Sequence, residues 1–148
     1  MSFVPVVAIE FIFVYGTLRK ETATSMFLML ACGCVYVSDG YMQGKLYAVN
    51  GYPGAIETDN PNDKVYGELY KIPDSELVLA ELDEYEECTD QYPEPSEYIR
   101  KKLRISLFGG GSVTAWVYVF NHDVSKLMQI ESGDYLTHLK ALKGMNTY

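Results

Sequence analysis

Glu86 is the residue whose place in the sequence most strongly suggests acid–base chemistry. Residues 74–87 predict a helix, and at about 100° per residue Val78, Leu79 and Leu82 fall on its apolar side. Glu86 follows Leu82 by one helical turn and therefore lies inside that apolar stripe. A carboxylate on an apolar face costs several kcal/mol if it is left unpaired. It therefore needs either a partner or a function.

The helical geometry leaves two interpretations of Glu86 open. In the first, the glutamate lies in a fraying last turn and bends out to water, or pairs with Arg19 or Arg100. In the second, it is partly buried, and desolvation raises the pKa of such a carboxyl group. A raised pKa suits general acid–base catalysis near neutral pH. Asp83, at the edge of the same face, is either a supporting residue or a solvated aspartate, the interpretation that its edge position favours.

A loop near the N-terminus is the second element that could do chemistry. An apolar stretch up to Val14 predicts a strand, and Tyr15, Gly16, Thr17 and Leu18 follow it directly. A short helix is predicted a few residues later. A strand that stops at a glycine before a helix leaves backbone N–H groups pointing out of a tight loop, which suits a small anion. We therefore expect this loop to bind the substrate.

Other catalytic or cofactor motifs are not evident in the sequence. Neither His122 nor His138 has a nucleophile near it in a known motif, and both are interpreted as surface or packing residues. The sequence contains no Walker loop, dinucleotide fingerprint or metal-ligand cluster, so no cofactor and no metal are expected. The three glycines 109–111 predict a hairpin tip rather than a phosphate cradle.

The composition predicts one globular domain over residues 1–148. Thirteen tyrosines favour a β-rich protein or a pocket lined with amphipathic rings. The formal charge of −8 argues against nucleic acid or an anionic membrane as a partner. A basic cluster at residues 100–104 does not change this, because strand alternation would divide it between two faces.

The cysteines and the N-terminal stretch bear on location. Three cysteines exclude a complete disulfide framework, and Cys32 and Cys34 lack the usual zinc spacing, so we expect buried thiols in a reducing compartment. The apolar run at residues 3–15 has no basic leader and is interrupted by Pro5 and Glu10, which favours a first strand over a signal peptide. No stretch is long enough to span a membrane. A cytoplasmic protein is predicted, either a monomer or a homodimer.

The elements that must position the candidate residues are mostly strands. We expect strands near residues 10–14, 35–38, 41–49, 65–70, 98–107 and 113–120, with a turn at Asp39-Gly40 and an edge or loop position for the segment around Pro53. Gly67 suggests a bulge or the close approach of another backbone. Helical segments are predicted at residues 124–130 and 135–142. This pattern indicates an α+β fold, a closed or strongly curved sheet with helices outside.

The order of the motifs resembles the γ-glutamylcyclotransferase-like family over nearly the whole chain. The stretches that carry the likeness are residues 14–19, 51–53, 65–70, 82–86, 98–100, 115–118 and 132–135. The Tyr-Gly-Thr-Leu sequence is closer to the branch that includes γ-glutamylamine cyclotransferase and the plant avirulence-induced-gene-like proteins. The resemblance implies a small mixed β-barrel with flanking helices and a cavity at one barrel mouth.

The resemblance also implies a reaction and a set of site residues. A γ-glutamyl compound would be converted to 5-oxoproline and a free amine, without a cofactor. Glu86 would be the general acid and base, and the loop of Tyr15, Gly16, Thr17 and Leu18 would bind the substrate. Tyr98 would hydrogen-bond the substrate or orient Glu86. Two alternatives are a non-catalytic small-molecule binding or regulatory module on the same barrel, and an enzyme that removes a γ-glutamyl protecting group in a biosynthetic pathway.

Overall fold

Strands make up most of the structure. The computed structural model describes residues 10–16, 33–49, 52–72 and 98–145. In chain order its elements are β1 (Glu10–Val14), β2 (Val35–Val49), β3 (Tyr52–Glu57), β4 (Lys64–Ile72), β5 (Tyr98–Leu107), β6 (Ser112–Phe120), β7 (Met128–Gln129) and the helix α1 (Tyr135–Met145). The helices predicted near residues 22–30 and 74–87 lie outside the described residues.

Five strands close into a barrel in the order β2-β4-β1-β6-β5. Strand β1 pairs antiparallel with β4 and parallel with β6, so the sheet is mixed. The barrel closes where Gly40 and Tyr41 of β2 pair with Leu107 and Ser106 of β5. The predicted small mixed barrel is therefore confirmed.

Strand β2 joins two stretches that the sequence predicted as strands separated by a turn. The turn expected at Asp39-Gly40 is wrong, because β2 runs through both residues and is interrupted only by a register shift between Tyr36 and Ser38. A Cβ atom on Gly40 would lie 2.4 Å from the carbonyl oxygen of Ser106. The glycine therefore allows two backbones to meet at the closure of the barrel and does not reverse the chain.

Alternation along the strands places two apolar clusters on opposite faces of the sheet. The interior cluster draws residues from all five barrel strands, most of them almost fully buried, and includes Phe13, Leu46, Leu69, Ile105 and Val117. The opposite face carries Arg100, Lys102 and Arg104 of β5, so it is the outer face of the barrel. The outer cluster on that face contains Ile12, Val14, Cys34, Val49, Tyr70, Ile72, Tyr98, Tyr118 and Phe120.

Strand β3 lies at an edge of the sheet. It pairs antiparallel with the second half of β2, where Val49 faces Tyr52, and with no other strand in the part of the chain that the structure describes. The edge position predicted from Pro53 is therefore confirmed. Proline is tolerated there because it has no N–H group to contribute to a ladder.

The C-terminal region contains one correct and one wrong prediction. The helix predicted at residues 124–130 is wrong: the segment forms a turn and then β7, which pairs with β2. The amide of Ile130 donates to the carbonyl oxygen of Leu46 at 2.7 Å, so tertiary pairing outweighs local helical preference. The final helix is confirmed as α1, and the carboxylate of Asp134 caps it by accepting from the Leu136 amide at 3.0 Å.

Candidate active site

Three of the six predicted site residues lie in the described chain. Tyr15 and Gly16 follow the last residue of β1, and both are buried. Tyr98 is the first residue of β5 and is also buried. Thr17, Leu18 and Glu86 lie outside the described residues. The structure therefore describes the part of the candidate site that is formed by residues in or next to β1, β3, β4, β5 and β6.

The hydroxyl of Tyr15 links three strands. It donates a hydrogen bond to the carbonyl oxygen of Tyr118 in β6 and accepts one from the amide of Ala55 in β3 at 3.2 Å. The ring itself belongs to the interior cluster and is 6% exposed. Tyr15 thus closes the end of the barrel at which β1 stops.

Gly16 lies directly against Pro53. A Cβ atom at position 16 would be 2.5 Å from Cγ of the proline, closer than real Cβ atoms approach a neighbour. The backbone of Gly16 is not in the left-handed region, so its glycine is required by this contact and not by its torsion angles. The loop after β1 and the start of β3, two of the motifs that carry the family resemblance, therefore pack on each other.

Tyr98 approaches the same part of β3 from the outer face. Its hydroxyl donates to the carbonyl oxygen of Pro53 at 2.6 Å. Its ring meets Phe120 edge to face, with centroids 5.7 Å apart. A Cβ atom on the neighbouring Gly54 would lie 3.0 Å from side-chain atoms of Phe120 and of Val49, so this glycine is also enclosed.

Strand β4 supports the end of β1 from the other side. A Cβ atom on Gly67 would lie 2.3 Å from the carbonyl oxygen of Val14. The close backbone approach predicted at Gly67 is therefore confirmed. Together with the contacts of Tyr15, Gly16 and Tyr98, it shows that four separated sequence motifs converge where β1 ends.

Glu68 is a buried carboxylate that the sequence analysis did not single out. It is 1% exposed, the only buried charged side chain among the residues described. The hydroxyl of Tyr70 donates to its Oε1 at 3.0 Å. In the β1–β4 register Glu68 lies opposite Val14, immediately before the loop. The sequence could have indicated this residue, because strand alternation places the Glu68 carboxylate on the same face as two aromatic side chains, Tyr66 and Tyr70.

A second carboxylate lies opposite Glu68 on the neighbouring strand. Asp39 of β2 pairs in register with Glu68 and accepts a 2.8 Å hydrogen bond from the hydroxyl of Tyr36. Desolvation, followed by this hydrogen bond, raises the pKa of Tyr36 to about 12. The rings of Tyr36 and Tyr70 meet edge to face at 5.8 Å. Each carboxylate of the pair thus has a tyrosine donor on its own strand.

The basic cluster on β5 is divided as the sequence predicted. Arg100 and Lys102 share the outer face and lie over the ring of Trp116, at 4.3 and 4.8 Å from its centroid. Lys101 points the other way and pairs with Glu57 at 3.1 Å. These contacts are typical of packing and surface pairing, and they do not form one continuous basic surface.

The histidines and the described cysteine have packing roles. His122 lies edge to face with Phe120 at 5.6 Å, and His138 stacks on Tyr135 at 6.3 Å. Cys34 is buried, and desolvation raises the pKa of its thiol to about 11, which keeps it protonated at neutral pH. Within the described ranges, no group of three potential metal ligands occurs, and no helix is long and apolar enough to cross a membrane.

Comparison with known proteins identifies the family to which the chain is similar. The sequence profile of the family described as γ-glutamyl cyclotransferase, AIG2-like, matches residues 12–137. The γ-glutamylcyclotransferase family protein YtfP of Escherichia coli K12 is 35% identical over 127 residues, which cover 84% of this chain and 95% of the relative. A putative γ-glutamylcyclotransferase of Methanocaldococcus jannaschii is 31% identical over 128 residues, covering 85% of this chain and 95% of the relative.

Solved structures share the same barrel. An AIG2-like protein from Mus musculus superposes with a TM-score of 0.66 at 26% identity, over 83% of this chain and 86% of that one. YkqA from Bacillus subtilis gives a TM-score of 0.70 at 25% identity; the match covers 93% of this chain but only 43% of YkqA. With its barrel, its ordered motifs and its relatives in agreement, the chain belongs to the AIG2-like γ-glutamylcyclotransferase family.

Proposed function

We propose that the protein is a cofactor-free enzyme that converts a small γ-glutamyl amine or amino acid to 5-oxoproline and a free amine. Family membership indicates γ-glutamylcyclotransferase activity. The observation that supports a site at the end of β1 is the packing of Gly16 against Pro53, where a Cβ atom on the glycine would lie 2.5 Å from Cγ of the proline. This contact holds the start of the predicted anion-binding loop on a buried wall.

In the proposed reaction the substrate supplies its own nucleophile. The α-amine of the γ-glutamyl group attacks the γ-carbonyl carbon, a C–N bond forms in the five-membered ring, and the C–N bond to the leaving amine breaks. Two protons leave the α-nitrogen, one from the ammonium before the attack and one as the ring amide forms. The leaving nitrogen takes up two protons and departs as an ammonium, so no water is consumed. Holding the chain curled provides much of the rate enhancement through proximity.

Glu86 carries the protons in this proposal. It accepts the proton of the α-ammonium and then donates to the leaving amine, which contributes roughly 10²–10⁴-fold to the rate. The backbone N–H groups of Gly16, Thr17 and Leu18 bind the α-carboxylate. Tyr15 and Tyr98 lie beside this loop as part of the substrate-binding region. Such a loop is suited to its ligand because backbone donors bind an anion without a positive side chain.

The proposal includes a cytoplasmic monomer or homodimer acting on a small molecule. The odd number of cysteines and the buried, protonated thiol of Cys34 support the cytoplasmic location in this proposal. The net charge of −8 supports a small-molecule partner over nucleic acid.

The test is turnover of a panel of γ-glutamyl amines and γ-glutamyl dipeptides, followed by the appearance of 5-oxoproline. We expect the wild type to be active and Glu86→Gln to lose roughly 10²–10⁴-fold in kcat. Glu84→Gln is the matched control, since Glu84 falls away from the apolar stripe of the predicted helix. Full activity of Glu86→Gln would refute the assignment.

A wild-type protein that turns over none of the γ-glutamyl compounds would lead to a different conclusion. If the wild type turns over none of the compounds yet 5-oxoproline raises its melting temperature, the protein is better described as a binding module. The two outcomes are distinguished by measuring thermal stabilisation and turnover on the same preparation.

A further inference from the structure

One edge of β3 is completed by two tyrosine side chains instead of a neighbouring strand. Strand β3 pairs with β2 only, among the strands that the structure describes, which leaves N–H and C=O groups on its other edge. The amide of Ala55 donates to the hydroxyl of Tyr15 at 3.2 Å, and the carbonyl oxygen of Pro53 accepts from the hydroxyl of Tyr98 at 2.6 Å. These two groups of the edge therefore have hydroxyl partners.

The two hydroxyls reach β3 from different directions. Tyr15 belongs to the interior cluster and also donates to the carbonyl of Tyr118, so it ties β3 to β6 across the barrel end. Tyr98 belongs to the outer cluster. Contacts from two sides restrict the position of the Pro53–Ala55 segment more than one contact could.

These bonds matter energetically because the segment is buried. Pro53, Gly54 and Ala55 all lie inside the protein. A buried backbone group that loses its partner pays the desolvation cost without compensation. Removing either hydroxyl therefore favours a shift of the segment toward water or toward another donor.

The position of the segment sets the space available to the loop after β1. Gly16 has no room for even a methyl group against Pro53, so a movement of β3 changes the gap beside the loop directly. Gly54, enclosed by Phe120 and Val49, fixes the segment from behind. Residues 53–55 thus form an enclosed wall beside the loop, which we call the β3 wall.

We propose that Tyr15 and Tyr98 are positioning residues, whose hydroxyls hold the β3 wall at the distance from Gly16 that the substrate-binding loop requires. This inference rests on the proposed function only for the identity of the ligand. In this proposal the Tyr98 hydroxyl does not donate to the substrate, because a hydroxyl has one proton and that of Tyr98 is donated to the carbonyl oxygen of Pro53.

The test compares Tyr15→Phe, Tyr98→Phe and the double variant with the wild type. In Tyr15→Phe we expect the Ala55 amide to exchange with solvent about tenfold faster, because it loses its acceptor. In Tyr98→Phe the Gly54 amide resonance should shift, since it reports on the Pro53 carbonyl, while Ala55 exchange changes less. Tyr41→Phe is the matched control, because Tyr41 has a ring contact with Tyr66 and lies away from β3.

The functional readout separates positioning from catalysis. We expect each variant to raise KM about tenfold while kcat and its pH profile change little, in contrast to Glu86→Gln, which should lose kcat. Unchanged Ala55 exchange in Tyr15→Phe, or faster exchange with an unchanged KM, would overturn the proposal. If the wild type lacks turnover altogether, the Kd for 5-oxoproline replaces KM, so the β3 wall and the proposed reaction can fail independently.

Discussion

Gly16 and Pro53 lie in contact so close that no side chain fits between them: a Cβ atom on the glycine would be 2.5 Å from Cγ of the proline. Pro53 belongs to β3, and Gly16 lies in the loop after β1, a strand that does not pair with β3. Their contact joins the loop after β1 to the buried edge of β3. Adding a single methyl group at Gly16 should therefore change both the ligand affinity and the free energy of unfolding.

Gly16→Ala should destabilise the protein and weaken ligand binding. The added methyl group overpacks the Pro53 contact, at a cost of about 1–3 kcal/mol in the free energy of unfolding. Urea denaturation measures this change, and titration with 5-oxoproline measures the affinity. Gly109→Ala is the control, since position 109 has open space around it and no strained backbone angle. If Pro53→Ala did not relieve the cost of Gly16→Ala in the double variant, the contact would not be its cause.

Removing the hydroxyl of Tyr70 should cost stability through Glu68. The buried carboxylate loses a hydrogen bond of 3.0 Å, and hydrogen bonds to charged groups contribute about 1.5–3 kcal/mol. We expect Tyr70→Phe to lower the free energy of unfolding by that amount in urea denaturation. Tyr66→Phe, on the same strand face as Glu68 and two residues before it, is the control and should stay within about 0.5 kcal/mol. Equal losses in the two variants would contradict a specific role for the Tyr70–Glu68 bond.

Gly40→Val should open the barrel where β2 meets β5. A side chain at position 40 would collide with the backbone carbonyl of Ser106, which cannot move without breaking the pairing. Because the Phe108 amide donates to the Asp39 carbonyl at 3.1 Å, its hydrogen exchange should accelerate before global unfolding. Protection of Phe108 that remains at the wild-type level in Gly40→Val would show that the closure tolerates a side chain.

The free energy of unfolding should fall in strongly alkaline solution, because two groups hold their protons more tightly in the folded state than in the unfolded state. Burial raises the pKa of Cys34 from 9.0 to about 11, and desolvation with the Asp39 hydrogen bond raises the pKa of Tyr36 from 10.0 to about 12. Between these values the folded chain binds more protons than the unfolded chain, so the free energy of unfolding decreases as the pH rises. Below about pH 9 neither group contributes to the slope.

Two variants test which group causes the decrease in the free energy of unfolding with rising pH. Cys34→Ala should flatten the slope between about pH 9 and 11, and Tyr36→Phe should flatten it between about pH 10 and 12. The measurement is urea denaturation at closely spaced pH values. Wild-type slopes in both variants would mean that other groups govern the alkaline loss.

Much of the fold follows from local patterns in the sequence. Alternation of apolar residues placed β1, β4 and the β5–β6 hairpin, where glycines 110 and 111 adopt φ angles of 102° and 79° as a tight tip requires. The edge position of Pro53 and the close approach at Gly67 were also predictable, because proline and glycine each allow few alternatives. These features depend on neighbours in sequence, which is why they could be recognised without coordinates.

The pairing of distant residues was decided only by the tertiary structure. Gly40 looked like a turn because nothing nearby in sequence shows the Ser106 backbone that it accommodates. Residues 128–129 looked helical because their strand partner lies far away in β2.

The sequence by itself determined the family, the mixed barrel and the candidate residues Tyr15, Gly16 and Tyr98. The tertiary structure decided what these residues do to one another. The hydroxyls of Tyr15, after β1, and Tyr98, in β5, bond the edge of β3. The absence of a side chain at Gly16 lets the loop after β1 lie against Pro53. Local periodicity encodes which face a residue occupies, whereas the distance between two faces is set only when the whole barrel closes.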